Sequence, residues 1–366
     1  MQSSPFKKLL LVLLLLAVGA ALLLQFINSE LKPLEKAPPK ISKSGFKYRY
    51  TPPSLSVSPN KAEAEPESDV ASQAKLPREQ VEVWLAKHNR NAASLLAALR
   101  ALDDTNYLNE AAMNFPDNPQ VEWTVLARDA FPEERRKWLD LFKASSPSNS
   151  LGNYLSAEDF FKNGKSQNAV NELLAATGKP EFDSHETESR LDEEELYLSS
   201  GKSPLEASRA SMTGVATDMI PELATLKRLC IAMADLQKEK LSAGDTDSAV
   251  NLAQMGMALG AQLDSGDSGK YYINQLVGMA AEAVVLRQLD QNNRYDFLGG
   301  QTPAQVLQQL KDQKKTFREL AGKFSAAYPS MAEEEIASYL QRQKIYGEAE
   351  AMRWVIQQHP PADSTK

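Results

Sequence analysis

Two Gly-Lys-Ser tripeptides, at 164–166 and 201–203, are the spacings in this chain most suggestive of phosphate chemistry. A phosphate-cradling loop needs a further glycine five residues earlier, after a buried strand, so that its backbone N–H groups can wrap the anion. Those positions hold Asp159 and Leu196, and helical patterns precede both, so the tripeptides read as helix-ending turns. His185-Glu186 begins like a zinc-protease motif, but the place of the second histidine is taken by Ser189. His88 and His359 lie far away in sequence, so three scattered histidines and one cysteine give no metal or cofactor site. Ser199 and Lys202 match Ser-x-x-Lys without either accompanying motif of the serine acyl-enzymes. Cys230 sits in an apolar helical run and reads as a small packing residue. One thiol forms no internal disulfide, which leaves the redox compartment open.

Acidic residues are the remaining candidates. The stretch 181–203 carries Glu186, Glu188, Asp192, Glu193, Glu194 and Glu195 but lacks the alternation of a calcium loop, and reads as a solvated helix start. Paired carboxylates could hydrolyse a glycoside, yet nothing in the sequence singles out two. No catalytic set is identified. The whole chain holds 48 acidic against 41 basic side chains, a net charge of −7, and binding to a phosphate backbone needs the opposite balance. Nucleic acid is therefore not an expected partner.

The elements that could position such residues divide the 366-residue chain, long enough for roughly two domains. Residues 1–8 form a short basic tail. Residues 9–27 are apolar except for Gln25, and at 1.5 Å per residue they span roughly the hydrocarbon thickness. They are expected to be an uncleaved single-pass anchor. A signal peptide cut near Val18 and Ala20, with the body secreted, is the alternative. The short basic tail points to export of the body into the envelope. Lys32, Lys36, Lys40, Lys43, Lys47 and Arg49, just after the span, pull toward a cytoplasmic body instead. Residues 28–76, with seven prolines among many Ser, Lys and Glu, read as a disordered tether.

From Pro77 to residue 289 apolar residues recur at helical spacing, and no strand pattern appears. Breaks fall at Asp103-Asp104, 116–119, 145–149, Gly164 and Gly178-Lys179-Pro180, where Pro, Asn, Ser and Gly supply the stops and starts of helices. Residues 290–302 read as a boundary loop, 303–358 as a pair of amphipathic helices that either cap the array or self-associate, and 359–366 as a tail.

Pro116, Pro147 and Pro180 each close one helix and open another at intervals near 34 residues. Within 151–180, Ala157 and Phe160 precede the turn at Gly164, and Ala169, Leu173 and Ala176 follow it, small residues letting helices approach and large ones filling between hairpins. This unit resembles the tetratricopeptide family. The unit at 118–147 is similar through Trp123, Leu126 and Ala127 but departs at Pro132 and Leu139. A later one keeps Gly244 and Ala249 after a helix through Leu223, Leu226, Cys230, Met233 and Leu236. The resemblance implies an all-α fold, stacked antiparallel helix hairpins forming a solenoid behind the anchor and linker. It also implies a protein or peptide partner in the groove of the array, lined by Thr124, Arg128, Tyr154, Glu158, Phe161 and Lys162. The expected function is a membrane-tethered scaffold for protein–protein interaction in the cell envelope. The alternatives are an envelope hydrolase on an all-helical scaffold and a structural spacer whose 303–358 helices form a homo-oligomer. The four tryptophans, at 84, 123, 138 and 354, fall on apolar helical stripes, as core residues do and as the rings of a sugar cleft do not.

Overall fold

The structure is a computed structural model that describes residues 76–360, with the side chains of 213–221 excepted. The apolar segment 9–27 and the tether up to residue 75 lie outside the described residues. Among the described residues no helix is long and apolar enough to cross a membrane.

The described chain is all-helical, as the periodicity predicts. In order the helices are α1 (Arg78–Lys87), α2 (Ala92–Leu102), α3 (Asn106–Asn114), α4 (Pro119–Ala127), α5 (Arg135–Ser145), α6 (Leu151–Lys162) and α7 (Ser166–Thr177). They continue with α8 (Glu186–Ser199), α9 (Pro204–Ser242), α10 (Thr246–Leu263), α11 (Tyr272–Leu286), α12 (Pro303–Ala327), α13 (Glu333–Tyr346) and α14 (Glu348–Gln358). Local chemistry explains the starts. Asn118 accepts from Gln120 N and Val121 N with Pro119 at the first helical position. Ser203 and Thr302 make reciprocal capping boxes with Glu206 and Gln305, each followed by proline. The ends at Gly164 and Gly201 lie at φ +69° and +82°, where a side chain would be strained, so both Gly-Lys-Ser tripeptides are helix-ending turns.

Consecutive helices from α1 to α7 pack as neighbours, α6 and α7 most extensively. Ala157, Ala169, Leu173 and Ala176 are fully buried between them. The order then changes. Helix α8 returns to pack on α2 and touch α1, and the 39-residue α9 meets α2, α4 and α6 as well as α8, α10, α11 and α13. Its Leu226, Leu229 and Met233 are fully buried in the main core. Helices α10 and α11 pack closely, because glycines remove the atoms that would hold them apart. A Cβ on Gly278 would stand 2.8 Å from the Gly260 carbonyl oxygen, and one on Gly256 would stand 2.6 Å from Val285 Cγ1.

The C-terminal region contains three helices rather than the expected pair. The second amphipathic stretch breaks at Gly347, at φ +87° and so close to Lys270 that a Cβ would come within 3.1 Å of its backbone. A turn is needed there for α14 to fold back on α13. Helix α12 acts as a strut. Val306, Leu307 and Leu310 join a core with Val285, Leu286 and Leu289. At its other end Phe324 and Ala327 join Tyr339 and Val355.

Gly278→Ala is expected to lower stability by about 1–3 kcal/mol, since the new methyl meets backbone that cannot yield. Gly322→Ala on the open face of α12, where nothing lies within 4 Å, is expected to raise it by roughly 0.5–1 kcal/mol. Thermal unfolding of the two variants beside the unmodified chain checks this; equal shifts would mean that α10 and α11 are not held by glycine contact.

Candidate functional site

The six residues expected to line a partner groove lie on α4 and α6 or just beyond their ends, and most of them are used by the chain itself. Thr124 is fully buried, its hydroxyl donating to the Gln120 carbonyl oxygen at 2.7 Å. Tyr154 is fully buried and donates to Gln262 Oε1 on α10 at 2.6 Å, while Gln262 Nε2 donates to the carbonyls of Ala176 and Lys179. Glu158 is buried and accepts from Arg228 Nε of α9 at 2.7 Å. Arg128 pairs with Asp103 at 3.4 Å, and Phe161 is half-buried against the core. Lys162 is exposed. Of the face that the spacing singles out, Tyr154 and Glu158 are thus taken up by α10 and α9, which come from some 70 to 110 residues further along the chain.

The acidic stretch read as a solvated helix start is instead partly interior. Glu186, Glu193 and Glu194 are buried, and only Glu188, Leu191, Glu195 and the last residues of α8 face outward. The loop before α8 is pinned to the start of α6. Asn149 Nδ2 donates to the Asp183 carbonyl at 2.7 Å, Asp183 N donates to Asn149 Oδ1 at 3.1 Å, and Ser150 N donates to the Glu181 carbonyl at 2.8 Å. His185 can therefore sit at φ +57° and turn the chain inward.

Ser184 Oγ donates to Glu186 Oε1 at 2.9 Å in this interior. Burial pushes the Glu186 carboxyl up to about 7. Burial, and after it the neighbouring Glu186, pushes Glu222 of α9 well above the usual range. Glu222 is only 2% exposed, and neither of its carboxyl oxygens has a hydrogen-bond partner. Arg190, one turn along α8 from Glu186, is equally buried, and its Nε and Nη2 are without hydrogen bonds. Asn274 of α11 and Glu348 of α14 complete the cluster. Asn274 Oδ1 is unpaired, and Glu348 accepts from Tyr272 N at 2.7 Å and from Gln343 Nε2 at 2.8 Å. Two neighbouring carboxyls in so dry a setting cannot both be ionised. They hold a proton. Carboxylate-pair hydrolysis needs a path for substrate and water between the acids, and side chains this deeply buried give it none.

The surface offers a different feature. A cavity of about 420 Å3 opens between the start of α9 and α13, lined by Pro204, Ser208, Ala337, Ser338, Gln341, Arg342, Ile345 and Tyr346. Ser208, one of its lining residues, donates through Oγ to Glu194, which is held in a buried ion pair with Lys344, each with 7% side-chain exposure. Its rim carries Ile345 and Tyr346, 59% and 60% exposed. Arg342 leans over the Trp354 ring at 4.8 Å. The sequence signals the rim side chains only as part of an amphipathic helix; that they remain uncovered follows from how α13 docks on α9. Comparisons with protein-family models, curated proteins and solved structures find no match to this chain.

Two outcomes follow from this chemistry. A carboxyl whose folded value is raised stabilises fully below its unfolded value and loses that contribution as pH rises through the folded value. For Glu186 this window runs from 4.5 to about 7. Melting temperature should therefore fall between pH 5 and 8, by an amount equivalent to roughly 3 kcal/mol, and Glu186→Gln should flatten the slope. A flat profile in the unmodified chain would mean that Glu186 is ionised across the whole window. Glu188, held down to about 2 by the His185 hydrogen bond, acts only below this window. Lys344→Met, which strands Glu194 without its cation, should cost about 3–5 kcal/mol in urea unfolding, and Lys344→Met with Glu194→Leu should recover most of it.

Proposed function

We propose that this protein is a membrane-tethered helical-repeat scaffold that binds another protein or peptide at the groove between α9 and α13, with residues 9–27 in the membrane and the body on the exported side. The hairpins of α4 to α7, with Ala157, Ala169 and Ala176 packed small against large, support a tetratricopeptide-like solenoid as the scaffold. Since α9 and α10 cover Tyr154 and Glu158, the partner docks at the other end of α9.

The observation that carries this reading is the pair Ile345 and Tyr346, two large apolar side chains more than half exposed that line a cavity between α9 and α13. Exposed apolar area beside a concavity gains free energy only when something covers it. Tyrosine is a common anchor at such contacts, because it buries a large ring at little entropic cost while its hydroxyl stays hydrogen-bonded.

A photo-cross-linking amino acid in place of Tyr346, in the full chain in its native membrane, tests this. One discrete adduct with another protein is expected, and Ile345→Asp should reduce its yield about tenfold, the equivalent of roughly 1.4 kcal/mol. An adduct with a second copy of the chain would favour the self-associating spacer. Adduct unaffected by Ile345→Asp would remove the groove from the function.

A further inference from the structure

Helix α12 is packed at both ends and open along its middle. Between Leu310 and Phe324 its inner side contributes Phe317, whose ring meets Tyr272 edge-on at 4.7 Å, and the buried stem of Lys314. On the other side Lys311, Lys315, Arg318 and Gly322 follow one another at intervals of four, three and four, which places them in one line along the helix. All four are exposed. Lys315 is 77% exposed and reaches Glu319 only at 3.8 Å. Lys311 and Arg318 make no hydrogen bond or ion pair with another described residue. The acids of this stretch, Asp312 and Glu319, lie on the flank, where Asp312 accepts from Gln308 at 3.1 Å.

A line of uncovered cations on a chain of net charge −7 is a local reversal of sign. Its extent matters. From Lys311 to Arg318 the helix advances roughly 10 Å, a little more than the distance over which physiological salt screens a charge. A single carboxylate or phosphate would meet one of these side chains and leave the others alone. An extended, flat array of negative charge meets them all at once, and lipid headgroups form such an array. Nucleic acid is also extended and anionic, but the acidic balance of the whole chain opposes its approach. A bilayer, by contrast, is where residues 9–27 would already hold the protein.

We propose that the Lys311, Lys315 and Arg318 face of α12 rests on the anionic headgroups of the bilayer to which the chain is tethered, and so orients the helical body on the membrane surface. This rests on the reading of residues 9–27 as an anchor. The tether alone would confine the body near the membrane without fixing which side faces it. The cationic line supplies that second constraint, and it is sensitive to salt and to lipid charge.

Gly322→Cys provides the probe. It lies on the same line, a Cβ there meets nothing within 4 Å, and the natural Cys230 is buried. The full chain carrying it is placed in nanodiscs of phosphatidylcholine, with or without phosphatidylglycerol, and the rate of maleimide labelling at position 322 is measured. Labelling is expected to be about tenfold slower in the anionic discs at low salt. High salt, or Lys311→Glu with Lys315→Glu and Arg318→Glu, should abolish the difference. Equal rates in the two kinds of disc overturn the proposal, as does protection by added duplex DNA with none by anionic lipid. Co-elution of the chain with neutral discs reads the anchor separately. Chain that co-elutes but labels equally defeats this inference alone, whereas chain that does not co-elute defeats the anchor and this inference with it.

Discussion

Burial of helix α9 is the constraint from which the remaining organisation follows. Its Leu226, Leu229 and Met233 have to be covered, and no single neighbour can cover a 39-residue helix. Helices α2, α4 and α6 meet it from one group of hairpins, and α8, α10, α11 and α13 from later in the chain. Each hairpin in isolation would leave one apolar stripe in water, and α9 is the element on which those stripes converge. Removing apolar surface from water at about 25 cal/mol per Å2 is the dominant favourable term in such an assembly. The same convergence closes off Tyr154 and Glu158, which become internal contacts through Gln262 and Arg228.

Polar groups buried by that convergence differ in how well they are satisfied. The Lys344 and Glu194 pair is complete, with Ser208 as a further donor, and joins α13 to α8 and α9. The cluster around Glu186, Glu222, Arg190 and Asn274 retains unpaired atoms on all four residues. Unpaired buried polar groups destabilise, so this cluster makes the interior conditional on protonation. It sits where α8, α9 and α11 meet, close to Pro221 within α9, a residue that has no N–H to donate along the helix.

Two of the exposed surfaces are of opposite character. Ile345 and Tyr346 beside the groove are exposed and apolar, and the outer line of α12 is cationic over an apolar underside. Both lie in the C-terminal part of the chain, on α12 and α13.

Helix boundaries were legible because they are set by neighbours in sequence. Asn118 with Pro119, Ser203 with Glu206, Thr302 with Gln305 and the glycines at 164 and 201 act within one turn of the chain. The small-and-large spacing of α6 and α7 was legible for a related reason, since the two helices are joined by a short turn. Which face each helix turns inward was a different matter. Acidity along 181–203 suggested solvent, yet Glu194 is buried because Lys344, 150 residues away, neutralises it. Nothing near Tyr154 or Glu158 distinguishes an open groove from one filled by α9 and α10. Composition and periodicity determined that the body is helical and where most of its helices start and stop, though not the break at Gly347. Only the tertiary structure decided which charges are buried and which surfaces stay open, because burial is a property of distant partners and not of local spacing.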